Sequence, residues 1–216
     1  MKYDLIIFDL DGTLLNTLDD LADACNAALR EAGYPCRDRD DVRRFIGNGV
    51  ARLIRRALPE SAGDDVAARV LARFKAIYLE NVNVKTLPYP GVVDMLRRLH
   101  DRGVRIAVNS NKVDEASRLL CAAHFPGLVD LVLGEQPDIP KKPDPEGARR
   151  IMAALDVPPE RALYVGDGDA DVLTARNAGI DGAWVSWGYR TREELPEVEI
   201  KHHFDSAIEL EKYILS

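Results

Sequence analysis

The chain has 216 residues, of which 46% are hydrophobic and 30% are charged, and its formal net charge is −7 at pH 7. This length suits one α/β domain or a core domain with a small insertion, and it is sufficient to bury a substantial core. The acidic balance and the absence of a basic block argue against a nucleic-acid-binding protein.

Cysteine usage and hydropathy narrow the class of protein further. The three cysteines are odd in number and lack CxxC spacing, so that neither a zinc site nor a disulfide framework is predicted. No segment approaches the ~20 apolar residues that cross a membrane, and the N-terminal apolar run is too short for a signal peptide. We therefore expect a reduced, cytoplasmic protein that does not contact a membrane.

The first predicted element is a buried strand that leads two carboxylates into a turn. The apolar run Leu5–Phe8 is followed at once by Asp9, Asp11 and Gly12, a pattern that favours a strand of a parallel sheet. Open α/β sheets bind ligands at the carboxyl ends of their strands. Two close carboxylates repel each other unless a cation or a proton lies between them, and oxygen ligands favour Mg²⁺. Gly12 allows a sharp turn that brings backbone N–H groups toward an anion.

The next part of the chain is predicted to be entirely helical. Helical patterns cover residues 18–32, 40–45, 50–58 and 66–80, and no strand pattern interrupts them. We expect an all-helical insertion with joints at residues 15–17 and 82–86. The polar residues expected to be exposed in these joints are Asn16, Thr17, Lys85 and Thr86.

From the helix predicted at residues 92–100 onward, strand and helix patterns alternate. The predicted strands are residues 104–108, 128–133, 162–165 and 183–185, and the predicted helices are residues 114–123, 144–155, 169–178 and 206–215. This alternation predicts an α/β fold with a Rossmann-like, mostly parallel sheet sandwiched by helices. The expected division is a core domain of residues 1–16 and 83–216, with a helical cap subdomain of residues 17–82.

Three later segments place polar groups at predicted strand ends or in a loop ahead of a helix. Ser110 and Asn111 follow one strand, where a hydroxyl and exposed N–H groups can hold a phosphoryl oxygen. Such a pair is also common at helix caps. Lys142 lies between prolines in a loop before a helix, and Asp167 and Asp171 follow the strand at residues 162–165.

Together these segments resemble the four motifs of the haloacid dehalogenase-like (HAD) hydrolases. The four similar segments are Asp9-Leu10-Asp11-Gly12-Thr13, Ser110-Asn111, Lys142-Pro143-Asp144-Pro145 and Gly166-Asp167 with Asp171. They occur in the order of the family and span nearly the whole chain. Gly168 departs from the serine that many members carry, but it changes no ligand.

The resemblance implies a Mg²⁺-dependent phosphatase that works through an aspartyl-phosphate. It assigns Asp9 as the nucleophile and Asp11 as the general acid/base, with Ser110 and Lys142 balancing the phosphoryl charge. The metal ligands that it implies are Asp9, Asp11 through its backbone carbonyl, Asp167, and Asp171 either directly or through water. The residues expected to bind phosphate also include Gly12 and Asn111.

The insertion is where we expect substrate selectivity to reside. Arg44 and the loop Gly47-Asn48-Gly49 resemble the cap loop of the bacterial phosphoglycolate phosphatases, a subgroup of the family. The glycines allow close approach to a small substrate, and either Arg44 or a backbone N–H group of the loop can meet a carboxylate. The same residues also suit a helix C-cap and turn. The segment Trp187-Gly188-Tyr189-Arg190 is likewise typical of this subgroup.

Other functions fit the same motifs. A phosphosugar mutase of the β-phosphoglucomutase type uses the same core and cap, and a pyrophosphatase or another sugar phosphatase also fits. A non-catalytic binding module would need none of Asp9, Asp11, Lys142 and Asp167. The resemblance favours a phosphatase for phosphoglycolate-like esters, with a small phosphorylated metabolite as partner and a monomeric or homodimeric state.

Overall fold

The computed structural model describes residues 1–195 and 199–216, and a parallel β-sheet lies at its centre. The strands are β1 (Leu5–Phe8), β2 (Leu15–Asn16), β3 (Leu87–Pro88), β4 (Arg105–Val113), β5 (Leu131–Glu135), β6 (Ala162–Gly166), β7 (Asp181–Val185) and β8 (His202–Phe204). The main sheet has the order β5-β4-β1-β6-β7-β8, and every neighbouring pair in it is parallel. This confirms the predicted fold class.

The helices alternate with these strands in the second half of the chain, as predicted. Their bounds are α1 (Leu18–Glu31), α2 (Arg39–Phe45), α3 (Val50–Ala57), α4 (Asp64–Glu80), α5 (Val92–Asp101), α6 (Asp114–His124), α7 (Glu146–Ala154), α8 (Asp169–Ala178) and α9 (Ala207–Leu215). Within the described ranges, none of these helices combines the length and apolar character needed to cross a membrane.

The strand β1 is buried on both faces, which explains its unbroken apolar run. Successive side chains of a strand point to opposite faces of the sheet. Ile6 and Phe8 pack into one hydrophobic cluster with residues of α5 and α9, whereas Leu5 and Ile7 pack into a second cluster with residues of α7 and α8. A sheet covered by helices on both faces requires apolar residues at every position of its central strand.

Four helices, α1 to α4, lie between β2 and β3 and pack against one another. We call the range Leu18–Glu80 the helical segment. Its helices bury apolar side chains such as Leu29, Ile54 and Phe74 between them. The all-helical character predicted for this part of the chain is therefore observed, while its division from the rest as a cap domain of residues 17–82 stays a prediction.

The connections to the helical segment are more ordered than the sequence suggested. Thr17 and Thr86 were expected to be exposed, and this is wrong, since both are buried. The antiparallel pairing of β2 with β3 brings the two connections together. The Asp20 carboxylate then accepts hydrogen bonds from the N–H groups of Val84, Lys85 and Thr86 and from the Thr86 hydroxyl. The connection between α4 and β3 is thus held against the start of α1.

Candidate active site

Polar side chains converge where β1, β4 and β6 end. Asp9 and Asp11 follow β1 directly, Ser110 lies in the last part of β4, and Asp167 follows β6. The carboxyl ends of parallel strands meet at one edge of a sheet. Because β1 is hydrogen-bonded to β4 on one side and to β6 on the other, these three ends are neighbours at that edge.

Asp9, Asp167 and Asp171 form a buried carboxylate cluster. One carboxylate oxygen of each lies within 4.8 Å of the others. Lys142 lies inside the cluster, with its Nζ atom 2.7 Å from Oδ1 of Asp9 and 2.7 Å from Oδ1 of Asp171. When all four groups are ionised, three negative charges face one positive charge. A divalent cation would neutralise this excess, and carboxylate oxygens suit a hard cation. The donor set therefore fits a divalent metal ion.

Burial makes this cluster difficult to ionise in the absence of a cation. Burial together with the charges of Asp171 and Asp167 raises the pKa of Asp9 to about 8, although Lys142 opposes the shift. Burial and the charge of Asp171 raise the pKa of Asp167 to about 7. Burial would lower the pKa of Lys142, but Asp171 and Asp9 together raise it well above its ordinary value. Lys142 thus remains an ammonium, while the raised pKa values leave Asp9 and Asp167 partly protonated near neutral pH.

The loop after β1 and the residues near the C-terminus fix the position of Asp167. The N–H group of Tyr189 donates to Oδ2 of Asp167 at 2.6 Å, and the Thr13 hydroxyl donates to Oδ1 at 3.2 Å. Gly12 has φ of 88°, and a methyl group at this position would lie only 2.7 Å from Cγ of Asp167. The turn at Gly12 therefore requires glycine both for its backbone angle and for space.

Asp11 belongs to a second ion pair, separate from the cluster. The Nζ atom of Lys112 lies 2.9 and 3.0 Å from the two carboxylate oxygens of Asp11, and the Thr17 hydroxyl donates to Asp11 at 2.7 Å. The same Nζ atom lies 4.5 Å from the centre of the Tyr78 ring, which belongs to α4. No motif in the sequence assigned a role to Lys112. Its place directly after the Ser110-Asn111 pair was the available signal.

Asn111 and Ser110 both make contacts with the protein backbone. Oδ1 of Asn111 accepts from the N–H group of Lys142 at 2.9 Å, and its Nδ2 donates to the carbonyls of Lys142 and Gly47 at 3.2 and 3.3 Å. Oγ of Ser110 accepts from the N–H group of Lys112 at 3.3 Å. Asn111 thus links the Lys142 loop to the helical segment, and the phosphate contacts predicted for both residues stay predictions.

A cavity of about 40 Å³ separates the strand ends from the helical segment. This volume accommodates a few water molecules at most. Its polar side consists of Asp9, Asp11, Ser110, Asn111, Lys112 and Lys142, and its other side of Leu21, Ile46, Gly47, Gly49, Val50 and Leu53. The helical segment therefore lies directly over the strand ends and forms one wall of the site.

The loop between α2 and α3 approaches the cavity through its glycines. Gly47 and Gly49 line the cavity, whereas Arg44 and Asn48 are absent from its described lining. The Arg44 side chain is half exposed and pairs with Asp40 on the same helix. Arg190 holds the loop from the core side, because its guanidinium donates to the carbonyl of Ile46 at 2.5 Å. The substrate contacts predicted for Arg44 and Asn48 stay predictions.

Comparisons with known proteins agree with this architecture. The sequence profile of the haloacid dehalogenase-like hydrolases matches residues 6–185. The phosphoglycolate phosphatase of Aquifex aeolicus is 33% identical over 213 residues, which cover 98% of each chain. That of Cereibacter sphaeroides is 36% identical over 217 residues, which cover 98% of this chain and 99% of the other. The crystal structure of a candidate phosphoglycolate phosphatase from Lactobacillus delbrueckii has a TM-score of 0.94 at 35% identity and 99% coverage of both chains.

Proposed function

The chain belongs to the haloacid dehalogenase-like hydrolases, and from this we propose that it is a Mg²⁺-dependent phosphatase for small phosphate monoesters such as phosphoglycolate. The observation that carries the proposal is the buried cluster of Asp9, Asp167 and Asp171 around Lys142, beside a cavity that also contains Asp11. The two relatives named above as phosphoglycolate phosphatases match nearly the whole chain, and they support the choice of substrate.

Asp9 is the proposed nucleophile. Its carboxylate attacks phosphorus in line, so that an aspartyl-phosphate forms while the bond to the alcohol oxygen breaks. The N–H group of Leu10 donates to Oδ1 of Asp9 at 2.7 Å, and Lys142 lies 2.7 Å from the same atom. Because both contacts orient the carboxylate through Oδ1, Oδ2 is the atom that we expect to attack.

Asp11 is the proposed general acid and base. It gives a proton to the leaving alcohol, and it then takes one from the water that hydrolyses the aspartyl-phosphate. Its contacts with Thr17 and Lys112 hold the carboxylate at the wall of the cavity, where the leaving oxygen of a bound ester would lie.

The remaining polar groups of the site are proposed to bind the cation or to neutralise the charge of the phosphoryl group. Asp9, Asp167 and Asp171 would hold Mg²⁺ together with the backbone carbonyl of Asp11, and Asp171 would act either directly or through water. When bound, the cation supplies positive charge that reduces repulsion between Asp9 and the phosphate. Lys142 and the Ser110 hydroxyl are proposed to contact the phosphoryl oxygens.

We further propose that residues 17–82 act as a cap that opens to admit the substrate and closes to exclude water. The small cavity of about 40 Å³ beneath the helical segment supports this, because movement of the segment would give a phosphate ester more room. A cytoplasmic location and a monomeric or homodimeric state stay predictions.

The decisive experiment is a panel of phosphate esters assayed with Mg²⁺ and ranked by kcat/KM. We expect release of inorganic phosphate, with phosphoglycolate among the best substrates. Asp9→Asn is the matched variant, and it should lower kcat by about a thousandfold or more while the protein stays folded. A phosphosugar mutase would instead interconvert sugar phosphates without releasing inorganic phosphate in equal amount. Near-normal activity of the folded variant would exclude Asp9 as the nucleophile.

A further inference from the structure

The cavity has two cationic side chains in its described lining, Lys112 and Lys142. The charge of Lys142 is already shared between Asp9 and Asp171, which belong to the carboxylate cluster. Lys112 forms an ion pair with Asp11 alone among the described residues. Lys112 is therefore the lysine through which a second anionic group on a substrate can be recognised.

Lys112 is held firmly and directed toward the cavity. Its side chain is only 1% exposed, and the Tyr78 ring of the helical segment lies against its ammonium. The pairing of β4 with β5 shifts register between Asn109 and Val113, and the three consecutive residues 110–112 all line the cavity. A regular strand would alternate such side chains, so this irregularity is what brings Lys112 to the site.

The ammonium also has hydrogen-bonding capacity beyond Asp11. A lysine ammonium carries three N–H donors, and the two oxygens of one carboxylate engage at most two of them in separate hydrogen bonds. Lys112 makes two such bonds to Asp11, at 2.9 and 3.0 Å. A third donor can accordingly meet another acceptor that enters the cavity.

The chemistry proposed for Asp11 determines where such an acceptor lies. A general acid must come within about 2.6–3.2 Å of the leaving oxygen. In phosphoglycolate this oxygen is bonded to the same carbon that bears the carboxylate. The substrate carboxylate is thus brought close to Asp11. Once Asp11 has given its proton to the leaving oxygen, the two carboxylates repel each other unless a cation lies between them. Lys112 already occupies the position beside Asp11 where that cation is needed.

We propose that Lys112 bridges Asp11 and the carboxylate of the substrate, and that it is the residue by which the site distinguishes an ester with a carboxylate on the carbon beside the ester oxygen from an ester without one. This inference rests on the proposed phosphatase function and names a residue that determines its selectivity. The opposite wall is apolar at Leu21, Val50 and Leu53.

The test compares two esters that differ in one group, phosphoglycolate and 2-hydroxyethyl phosphate. We expect wild-type protein to prefer phosphoglycolate in kcat/KM. Lys112→Met keeps the apolar stem and removes the charge, and it should reduce this preference by about 10- to 100-fold, which is the effect of one charge-assisted hydrogen bond. Lys75→Met is the matched control because Lys75 is an exposed lysine of α4, and it should leave the preference unchanged.

The position of the carboxylate provides a second comparison. The phosphate ester of 2-hydroxypropionate keeps the carboxylate on the carbon that bears the ester oxygen, whereas that of 3-hydroxypropionate moves it one carbon away. Wild-type protein should prefer the first ester, and Lys112→Met should largely abolish the difference. Lys112→Arg keeps the charge and should retain a preference between the Met variant and wild type.

Lys112→Met can disturb Asp11 and lower the turnover of every ester, so a binding measurement that does not depend on turnover is also needed. Calorimetric titration should show that wild-type protein binds 3-phosphonopropionate more tightly than propylphosphonate, and that the variant binds both alike. An equal affinity of wild-type protein for both would overturn the proposal, as would a preference lost in Arg44→Met but retained in Lys112→Met. Failure of the proposed function is a different result, namely no phosphate release by wild-type protein from any ester.

Discussion

The carboxylates of Asp9 and Asp167 are required for the proposed chemistry, but they destabilise the fold when no cation is bound. Their pKa values of about 8 and about 7 both lie above the ordinary value of 3.8. The folded protein therefore binds more protons than the unfolded chain at pH values between the ordinary pKa and the raised pKa of each group. By linkage, this contribution to the free energy of unfolding decreases as pH rises from about 4 to about 8.

The first prediction concerns pH and metal together. Metal-free protein should have a lower Tm at about pH 8 than at about pH 6, because raising the pH removes the bound protons. Mg²⁺ takes the place of those protons, so its apparent affinity should increase over the same range by up to about tenfold per pH unit for each proton displaced. Thermal unfolding in EDTA and in Mg²⁺ measures both effects. A metal-free Tm that rises toward pH 8 would contradict the raised pKa values.

The second prediction concerns Asp167 as a metal ligand. Asp167→Ala should weaken Mg²⁺ binding by about tenfold or more while the sheet remains folded, because it removes one of three clustered carboxylates. The matched control is Asp169→Ala, which removes an exposed carboxylate two residues away. Calorimetric Mg²⁺ titration of both variants gives the comparison. If both retain wild-type affinity, Asp167 lies outside the coordination shell.

At the scale of elements, the loop after β1 packs at Gly12 against Asp167 in the loop after β6. This contact joins two chain segments whose strands are neighbours in the sheet, and it places Thr13 within hydrogen-bonding distance of Asp167. The geometry of the carboxylate cluster thus depends on a position that has no side chain.

The third prediction separates the two requirements for glycine at this position. Gly12→Ala should destabilise the fold by more than the roughly 1–3 kcal/mol expected for a strained backbone angle, and it should also weaken Mg²⁺ binding by displacing Asp167. Gly33→Ala is the control, since Gly33 has a similar φ of 76° and no atom within 4 Å of a Cβ there. Denaturant unfolding and Mg²⁺ titration of both variants test this. Equal effects would mean that the contact with Asp167 is unimportant.

Helices and strands with a long periodic pattern could be predicted from the sequence. Short strands that form only by pairing with a distant segment of the chain could not. The helix α8 begins and ends where the pattern placed it, because Gly179 adopts φ of 75° and ends it. In contrast, β2 and β3 have two residues each and pair across more than 70 residues of sequence, so no periodicity reveals them. The strand β4 extends to Val113 through polar residues that look like a loop in isolation.

The same distinction holds for the candidate site. Asp9 and Asp167 directly follow strand ends, and their convergence could be predicted because parallel strands share one edge. Lys142 lies in a loop before a helix, and the resemblance to the family motif is what assigned it to the site. The pairing of Lys112 with Asp11 joins residues 101 positions apart, and it depends on the irregularity in β4. The local sequence carries no information on the register of β4 with β5. The ion pair between Lys112 and Asp11 could therefore be found only in the structure.

At the scale of the whole molecule, several contacts hold the helical segment over the strand ends, among them an ion pair between Arg43 of α2 and Glu194. Asn111 donates to the carbonyl of Gly47, Arg190 donates to the carbonyl of Ile46, and Lys112 lies against Tyr78. Two of the last three contacts involve the loop between α2 and α3, so the shape of this loop and the position of the helical segment depend on each other.

The fourth prediction concerns this loop. Substituting Asn48 or shortening the loop should lower kcat/KM for phosphoglycolate more than for an aryl phosphate. Gly47 and Gly49 line the described cavity, whereas Asn48 does not. A change at Asn48 would therefore act by shifting these two glycines. Ser61→Ala, in the exposed loop between α3 and α4, is the control. Equal losses for both substrates would show that the loop is a structural turn and that selectivity resides elsewhere.

The hydrogen bonds of the two tryptophans give the protein an optical reporter of its own. The indole N–H of Trp184 donates to the carbonyl of Asp167 at 2.8 Å, and that of Trp187 donates to the carbonyl of Thr13 at 2.9 Å. The sequence contains only these two tryptophans, and each is bonded to a loop that carries the site. Indole emission responds to its hydrogen bonding and to nearby charge. Intrinsic fluorescence in a stopped-flow instrument should therefore follow cation binding and ester turnover in unlabelled protein.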